Sequence, residues 1–312
     1  MNTFVLIPGA WLGAWVWQPV AERLRALGHR VHVLTLSGLS GDSGLPDGSG
    51  PSAGSRQAGD LCPPGLSARS GSSGESGPPD LSARPGSSGG SGTSDRSSAS
   101  SGSGASGGSG PSAGASLPGA EIGLATHVSD VLELLDSADV RGAVLVGHSY
   151  AGVVAGQVAS LVSERIAHTV FVDSNLPVDG QSMTDGWSPR GQELVRAAVD
   201  ANGGWWPVPE IEEFDGHDLT DEQVAWLVAR ASPHPGGTLF EPAHLARPLA
   251  ELPATYIRCL RPDAKPRDDV LALHGAPTWS FVDLDTGHWP MVSQPTALTD
   301  LLLDAHHRPH GP

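Results

Sequence analysis

Residues 144–152 read VLVGHSYAG, an apolar run that ends in Gly147-His148-Ser149-Tyr150-Ala151-Gly152 and continues into a stretch able to form a helix. A serine in a tight strand-to-helix turn between small residues projects its hydroxyl from the carboxyl edge of a sheet, beside a helix N-terminus. There it can act as a nucleophile, provided a histidine takes its proton and a carboxylate orients that histidine. The fifth position of the G-x-S-x-G pattern is Ala151, still a small residue. The pattern alone arises often by chance, so its weight depends on partners elsewhere in the chain. His288, in Asp285-Thr286-Gly287-His288-Trp289-Pro290, follows the last apolar run and precedes the terminal helix. That loop opens at the same sheet edge as Ser149. Most of the other histidines fall on helices, within strands or in the tail. His148 fills the variable position of the serine turn, where a packing role is expected.

For the carboxylate, residues 254–260 (ATYIRCL) form a strand ending in Arg261-Pro262-Asp263. Asp263 at that strand end gives the chain order Ser, Asp, His and is the expected acid. Asp268 and Asp269 are rivals, but they open the next helix, where the dipole favours carboxylates. Asp173 ends an earlier strand, and Asp285 stands three residues before the histidine, where bracing the loop is the expected role. An oxyanion also needs donors. One is the backbone N–H of Tyr150, directly after the serine. The other comes from Pro8-Gly9-Ala10-Trp11, where Gly9 lets the chain turn so that the Ala10 N–H faces the site.

Elements of the right kind exist to carry these loops. TFVLI at 3–7 is a continuous apolar run closed by Pro8-Gly9, the pattern of a strand buried on both faces. A helix over 17–27 stops at Gly28, and RVHVLTL at 30–36 is the second strand. Helix 121–137, strand 142–146, helix 150–163 and strand 168–173 follow, then strands 254–260 and 279–284 and a closing helix over about 294–306. This alternation predicts an α/β fold, an open, mostly parallel sheet with helices on both faces. Between 174 and 252 the regularity breaks down around Trp187, Trp205, Trp206 and Trp226, which predicts a helical cap over 177–250. The core then comprises 1–37, 119–176 and 251–312.

The remaining segment, 38–118, accounts for the chain's unusual composition. Of its 81 residues 45 are Gly or Ser, with six leucines and no aromatic, Val, Ile or Met. Ordering it would cost roughly 1–2 kcal/mol per residue with little apolar surface to offset that, so a disordered insertion is expected. LSAR at 66–69 and 81–84 and PSAG at 51–54 and 111–114 suggest duplication, but with no apolar face to stack they do not make a solenoid. Eighteen Lys and Arg against 34 Asp and Glu give a net charge of −16 and argue against a nucleic-acid partner. Two cysteines, Cys62 and Cys259, offer neither a disulfide framework nor a metal cluster. No charge occurs before Glu22, yet Pro8, Gly9, Gly13, Gln18 and Pro19 interrupt that run, and it lacks a basic leader. A cytoplasmic protein without a membrane partner is expected.

With these features in place, the sequence resembles the α/β-hydrolase superfamily, in particular the branch of plant methyl-ester esterases and hydroxynitrile lyases and their bacterial relatives. The resemblance rests on FVLIPGAWLGAWVWQPV (4–20), GHRVHVLTLSG (28–38), VLVGHSYAG (144–152), FVDSNLPVDGQS (171–182) and TGHWPMVSQP (286–295). It implies a Ser149, Asp263, His288 triad with Ala10 and Tyr150 amides holding the oxyanion. Relatives commonly have His-Gly where this chain has Pro8-Gly9; the glycine is the part the turn needs. Hydroxynitrile lyases typically carry a threonine in that loop and a lysine after the catalytic histidine, where Gly9 and Trp289 stand here. That favours hydrolysis of a small-molecule ester, without cofactor or metal. Trp11, Trp187, Trp205, Trp206 and Trp289 are the candidates to line the substrate pocket. A lyase or acyl transferase on the same triad, or a slow-turnover ligand-binding protein, are the alternatives.

Overall fold

In a computed structural model the residues described are 1–39, 119–262 and 267–305. Almost all of the 38–118 insertion lies outside them, as does Asp263. Six strands form one sheet: β1 (Thr3–Ile7), β2 (Arg30–Val33), β3 (Ala143–His148), β4 (Ile166–Val172), β7 (Ala254–Cys259) and β8 (Trp279–Leu284). Their order is β2-β1-β3-β4-β7-β8, and every neighbouring pair is parallel.

The apolar runs form these strands because both of their faces are covered. Alternate residues of β1 and β3 separate into two cores, as the two-residue period of a strand requires. Val5, Ile7, Ala143 and Leu145 join helices α2 (Leu124–Ser137) and α3 (Ala151–Leu161) on one face. Phe4, Leu6, Val144 and Val146 pack on the other with α1 (Gln18–Ala26) and α9 (Pro295–Ala305). β3 is buried at all six positions and α3 at residues 151–160, so the serine turn between them rests on two almost fully buried elements.

β2 is shorter than the run 30–36 suggests. Leu34 still donates to the Leu6 carbonyl (3.2 Å), but Thr35 Oγ1 then accepts the Ala14 amide (2.8 Å) and the Ser37 amide donates to Asp130 (2.7 Å). Side-chain partners draw this stretch away from the ladder.

Between β4 and β7 the chain forms α4 (Pro189–Ala201), α5 (Asp221–Val228) and the short α6 (Gly237–Phe240). It also forms an antiparallel pair, β5 (Trp205–Trp206) and β6 (His234–Pro235), for which two-residue runs leave no periodic signal in the sequence. α7 (Asp268–Leu271) precedes β8, and α8 (Pro290–Ser293) precedes α9. Among the described residues no helix is long and apolar enough to cross a membrane.

The chain runs from β1 outward to β2 and then returns to the other side of β1 as β3. Loops leaving β1 and β3 therefore diverge at the carboxyl edge and leave a crevice, the usual ligand position in open α/β sheets. Pro8–Trp11 and Gly147–Ser149 flank that crevice.

Candidate active site

Ser149 sits between β3 and α3 with φ +54, a left-handed conformation that side chains other than glycine seldom adopt. The turn is held from outside. The Ser149 amide donates to the Val172 carbonyl (3.1 Å), the Asn175 amide donates to the Ser149 carbonyl (3.1 Å), and the Ser174 hydroxyl donates to the Gly147 carbonyl (2.6 Å). A Cβ at Gly147 would meet the Ala151 carbonyl oxygen at 2.6 Å, and one at Gly152 would collide with Ser174 and Asn175. The second close approach falls on Gly152, one residue beyond the motif's fifth position, which is why Ala151 is accommodated there.

The segment that fastens the turn also carries a carboxylate. Asp173 follows β4 with φ +44; its amide donates to the Ile257 carbonyl (2.8 Å), and its Oδ1 accepts the Cys259 amide (3.3 Å). Its Oδ2 lies 2.6 Å from His288 Nδ1, and His288 Nε2 lies 2.9 Å from Ser149 Oγ. The expected serine and histidine are thus brought together, and the carboxylate on Nδ1 belongs to Asp173. The acid chosen from the sequence, Asp263, lies outside the described residues. The other rivals are engaged elsewhere: Asp269 pairs with Arg267 (3.0 Å), Asp285 with Arg261 (2.8 Å), and Asp268 opens α7. Burial alone would raise the Asp173 carboxyl, but the hydrogen bond and charge of His288 outweigh it and hold the group below the usual carboxylate range.

Opposite Ser149 lies the loop after β1. A Cβ on Gly9 would come within 2.9 Å of Ser149 Cβ and 2.8 Å of His148 Nδ1, so only glycine lets this loop approach the serine. Among the described residues neither the Ala10 nor the Tyr150 amide has a backbone acceptor. Tyr150 is the N-cap residue directly before α3, at the helix end where the leading amides lack intrahelical partners. Its hydroxyl donates to His127 Nδ1 (2.9 Å), and His127 Nε2 in turn donates to the Ser37 carbonyl (2.8 Å). This buried chain fixes the residue that follows Ser149.

The candidate pocket tryptophans separate into groups. Trp11, itself at φ +64, packs on Trp206 (ring centroids 4.1 Å apart) and donates from Nε1 to the Trp206 carbonyl (3.3 Å); Trp187 lies 6.0 Å from the same ring. All three are half-buried. Trp205 lies against Gly119, where a Cβ would touch its indole. Trp289 is buried against Phe214 (4.6 Å) and His217 (5.0 Å) in the core of the α1/α9 face, directly behind the histidine loop.

Sequence reasoning missed the histidines around His288. Burial pushes His148 down to about 3, with the His288 charge adding to the effect; His217 is lowered for the same two reasons. Burial also lowers His127 and His234. Each of these side chains binds a proton less readily in the fold than in the unfolded chain, where its value is near 6.5. Unfolding therefore binds protons below that value, and stability is complete above about pH 6.5 and lost as pH falls from there. For His148 the loss runs on to about pH 3, at ~1.4 kcal/mol per pH unit. Urea midpoints are expected to drop steadily between pH 7 and 5, and less steeply in His148→Gln. A midpoint unchanged over that range would contradict the lowering of these histidines.

The chain belongs to the alpha/beta hydrolase family, whose model matches residues 4–301. It is 25% identical over 315 residues to a carbendazim hydrolyzing esterase of Nocardioides sp. (strain SG-4G), covering 97% of this chain and 98% of that protein. Among solved structures, an extracellular alpha/beta-hydrolase from a Paenibacillus species shares the fold with a TM-score of 0.65 at 20% identity, over 98% of this chain and 99% of that one. A methylesterase from Arabidopsis shares it with a TM-score of 0.59 at 16% identity, over 98% of each chain.

Proposed function

We propose that the protein is a serine hydrolase that cleaves carboxylic esters of small, largely apolar molecules through an acyl-enzyme on Ser149. The observation that carries this reading is the continuous relay from Ser149 Oγ to His288 Nε2 (2.9 Å) and from His288 Nδ1 to Asp173 Oδ2 (2.6 Å). Asp173, as a carboxylate, accepts a hydrogen bond from Nδ1–H, which keeps the proton there and leaves Nε2 as the basic nitrogen facing the hydroxyl. Ser149 attacks the ester carbonyl as His288 takes its proton, and the oxygen that becomes negative is received by the Ala10 and Tyr150 amides. His288 then gives the proton to the departing alcohol. Water enters, loses a proton to His288 and attacks the acyl carbon; collapse breaks the bond to the serine oxygen, which takes that proton back from His288 as the acid leaves. Trp11, Trp187 and Trp206 provide an apolar aromatic wall suited to the non-reacting part of such a substrate.

Two further observations favour ester hydrolysis over cyanohydrin cleavage. Gly9 and Trp289 occupy the positions at which the lyases of the resembling branch carry threonine and lysine. The esterase and methylesterase among the similar proteins point in the same direction. The test is a panel of p-nitrophenyl acetate and butyrate, methyl esters of aromatic acids, and mandelonitrile. Ester turnover with kcat on the order of 1–10³ s⁻¹ is expected, and no cleavage of mandelonitrile. A protein that splits mandelonitrile faster than every ester, or that turns over none of them while folded, contradicts the proposal.

A further inference from the structure

His288 stands on the loop after β8, an edge strand separated from β3 by β7 and β4. An edge loop that must place an imidazole between Ser149 and Asp173 needs something other than the sheet to hold its main chain. Both polar backbone groups of His288 are in fact taken by imidazoles from other parts of the chain. The His288 amide donates to His217 Nδ1 (3.1 Å), and His148 Nε2 lies 2.6 Å from the His288 carbonyl oxygen. An amide can only donate and a carbonyl can only accept. His217 must therefore present a bare Nδ1, and His148 must carry its proton on Nε2.

The surroundings of both rings fit this assignment. The His148 ring is 1% exposed, with its centroid 4.7 Å from that of His288 and Nδ1 turned to the space that a Cβ at Gly9 would fill. It is thus wedged between the nucleophile turn, the oxyanion loop and the histidine loop. On the other side, the His217 carbonyl occupies the place of a Gly287 side chain. Asp218, with φ +60, accepts the Thr286 hydroxyl (3.1 Å) and the Gln294 side-chain Nε2 (3.3 Å) and pairs with Arg261 (3.3 Å). The step 217–218 therefore seats the whole histidine loop.

We propose that His148 and His217 are positioning residues that hold the main chain of His288 from its two sides, so that one imidazole meets Ser149 and Asp173 together. This rests on the hydrolase reading of the site. Neither residue touches the reacting atoms; each acts through the placement of His288, where a displacement of about 1 Å costs on the order of 10²-fold in rate.

The test uses the full chain and a fluorophosphonate probe, with the labelling rate of Ser149 read beside kcat and KM for p-nitrophenyl acetate. His148→Leu and His217→Leu, checked for folding by thermal unfolding, are expected to lower kcat and labelling about 10–100-fold with KM within about threefold. His148→Gln places an amide donor where Nε2 was, and His217→Asn places a carbonyl acceptor where Nδ1 was; each is expected to return to within about threefold of wild type. If a leucine variant does not fold, His148→Asn, polar but too short to reach the carbonyl, should show the same loss. Folded leucine variants that label at the wild-type rate overturn the proposal, as do Gln and Asn variants no faster than leucine. A wild type that does not label refutes the hydrolase reading itself, and the proposal with it.

Discussion

Asp173→Asn is expected to lower kcat/KM about 10⁴-fold, while Asp263→Asn stays within about threefold of wild type. The amide would present an N–H to His288 Nδ1 in place of an acceptor. The imidazole then shifts its proton to Nε2, the nitrogen that must be bare to take the Ser149 proton (2.9 Å away). Shape and burial are nearly unchanged by this substitution, so the loss isolates the tautomer. A 10⁴-fold fall corresponds to about 5.5 kcal/mol of transition-state stabilisation. Steady-state kinetics of the two variants with one ester decides the matter. An undiminished Asp173→Asn, or a collapse in Asp263→Asn instead, would move the acid to the end of β7.

The choice between these two aspartates is made by structure that strand pattern does not carry. Both strand ends satisfy the order Ser, Asp, His, and both lie at the carboxyl edge of the sheet. What separates them is local: β4 is the strand next to β3, and its exit, residues 172–175, is hydrogen-bonded to the serine turn. Pattern reveals where a strand ends. It does not reveal that Asp173 then turns through φ +44 to face His288. The one advance signal was an aspartate directly after a strand, and four other aspartates competed with it.

Features fixed by apolar periodicity were legible. The run WSFVDL became β8 at 279–284, the 254–260 strand lost one residue, and the closing helix spans Pro295–Ala305. The meeting of Ser149 and His288 was legible too, because each combines a special residue type with a loop at the same sheet edge. β2 ended early because Thr35 and Ser37 are engaged through polar contacts that its apolar pattern does not show. The same holds for His148 and His217. Nothing in their spacing announces a hydrogen bond to a residue 140 or 71 positions away. His148 was expected to pack, and it does, but its Nε2 also holds the carbonyl of His288.

Ser149→Ala removes the group to which every other residue of the site is directed, and is expected to reduce kcat about 10⁶-fold, leaving only what the oxyanion donors and binding contribute. The alanine must still adopt φ near +54, so its folding is to be confirmed alongside. The most direct measurement is covalent: wild type and Ser149→Ala are treated with a fluorophosphonate probe near pH 8 and followed by intact-mass and peptide mass spectrometry. One adduct per wild-type chain, mapped to Ser149 and absent from Ser149→Ala, is the predicted result. An adduct on another residue, or no adduct on folded wild-type protein, would contradict Ser149 as the activated nucleophile.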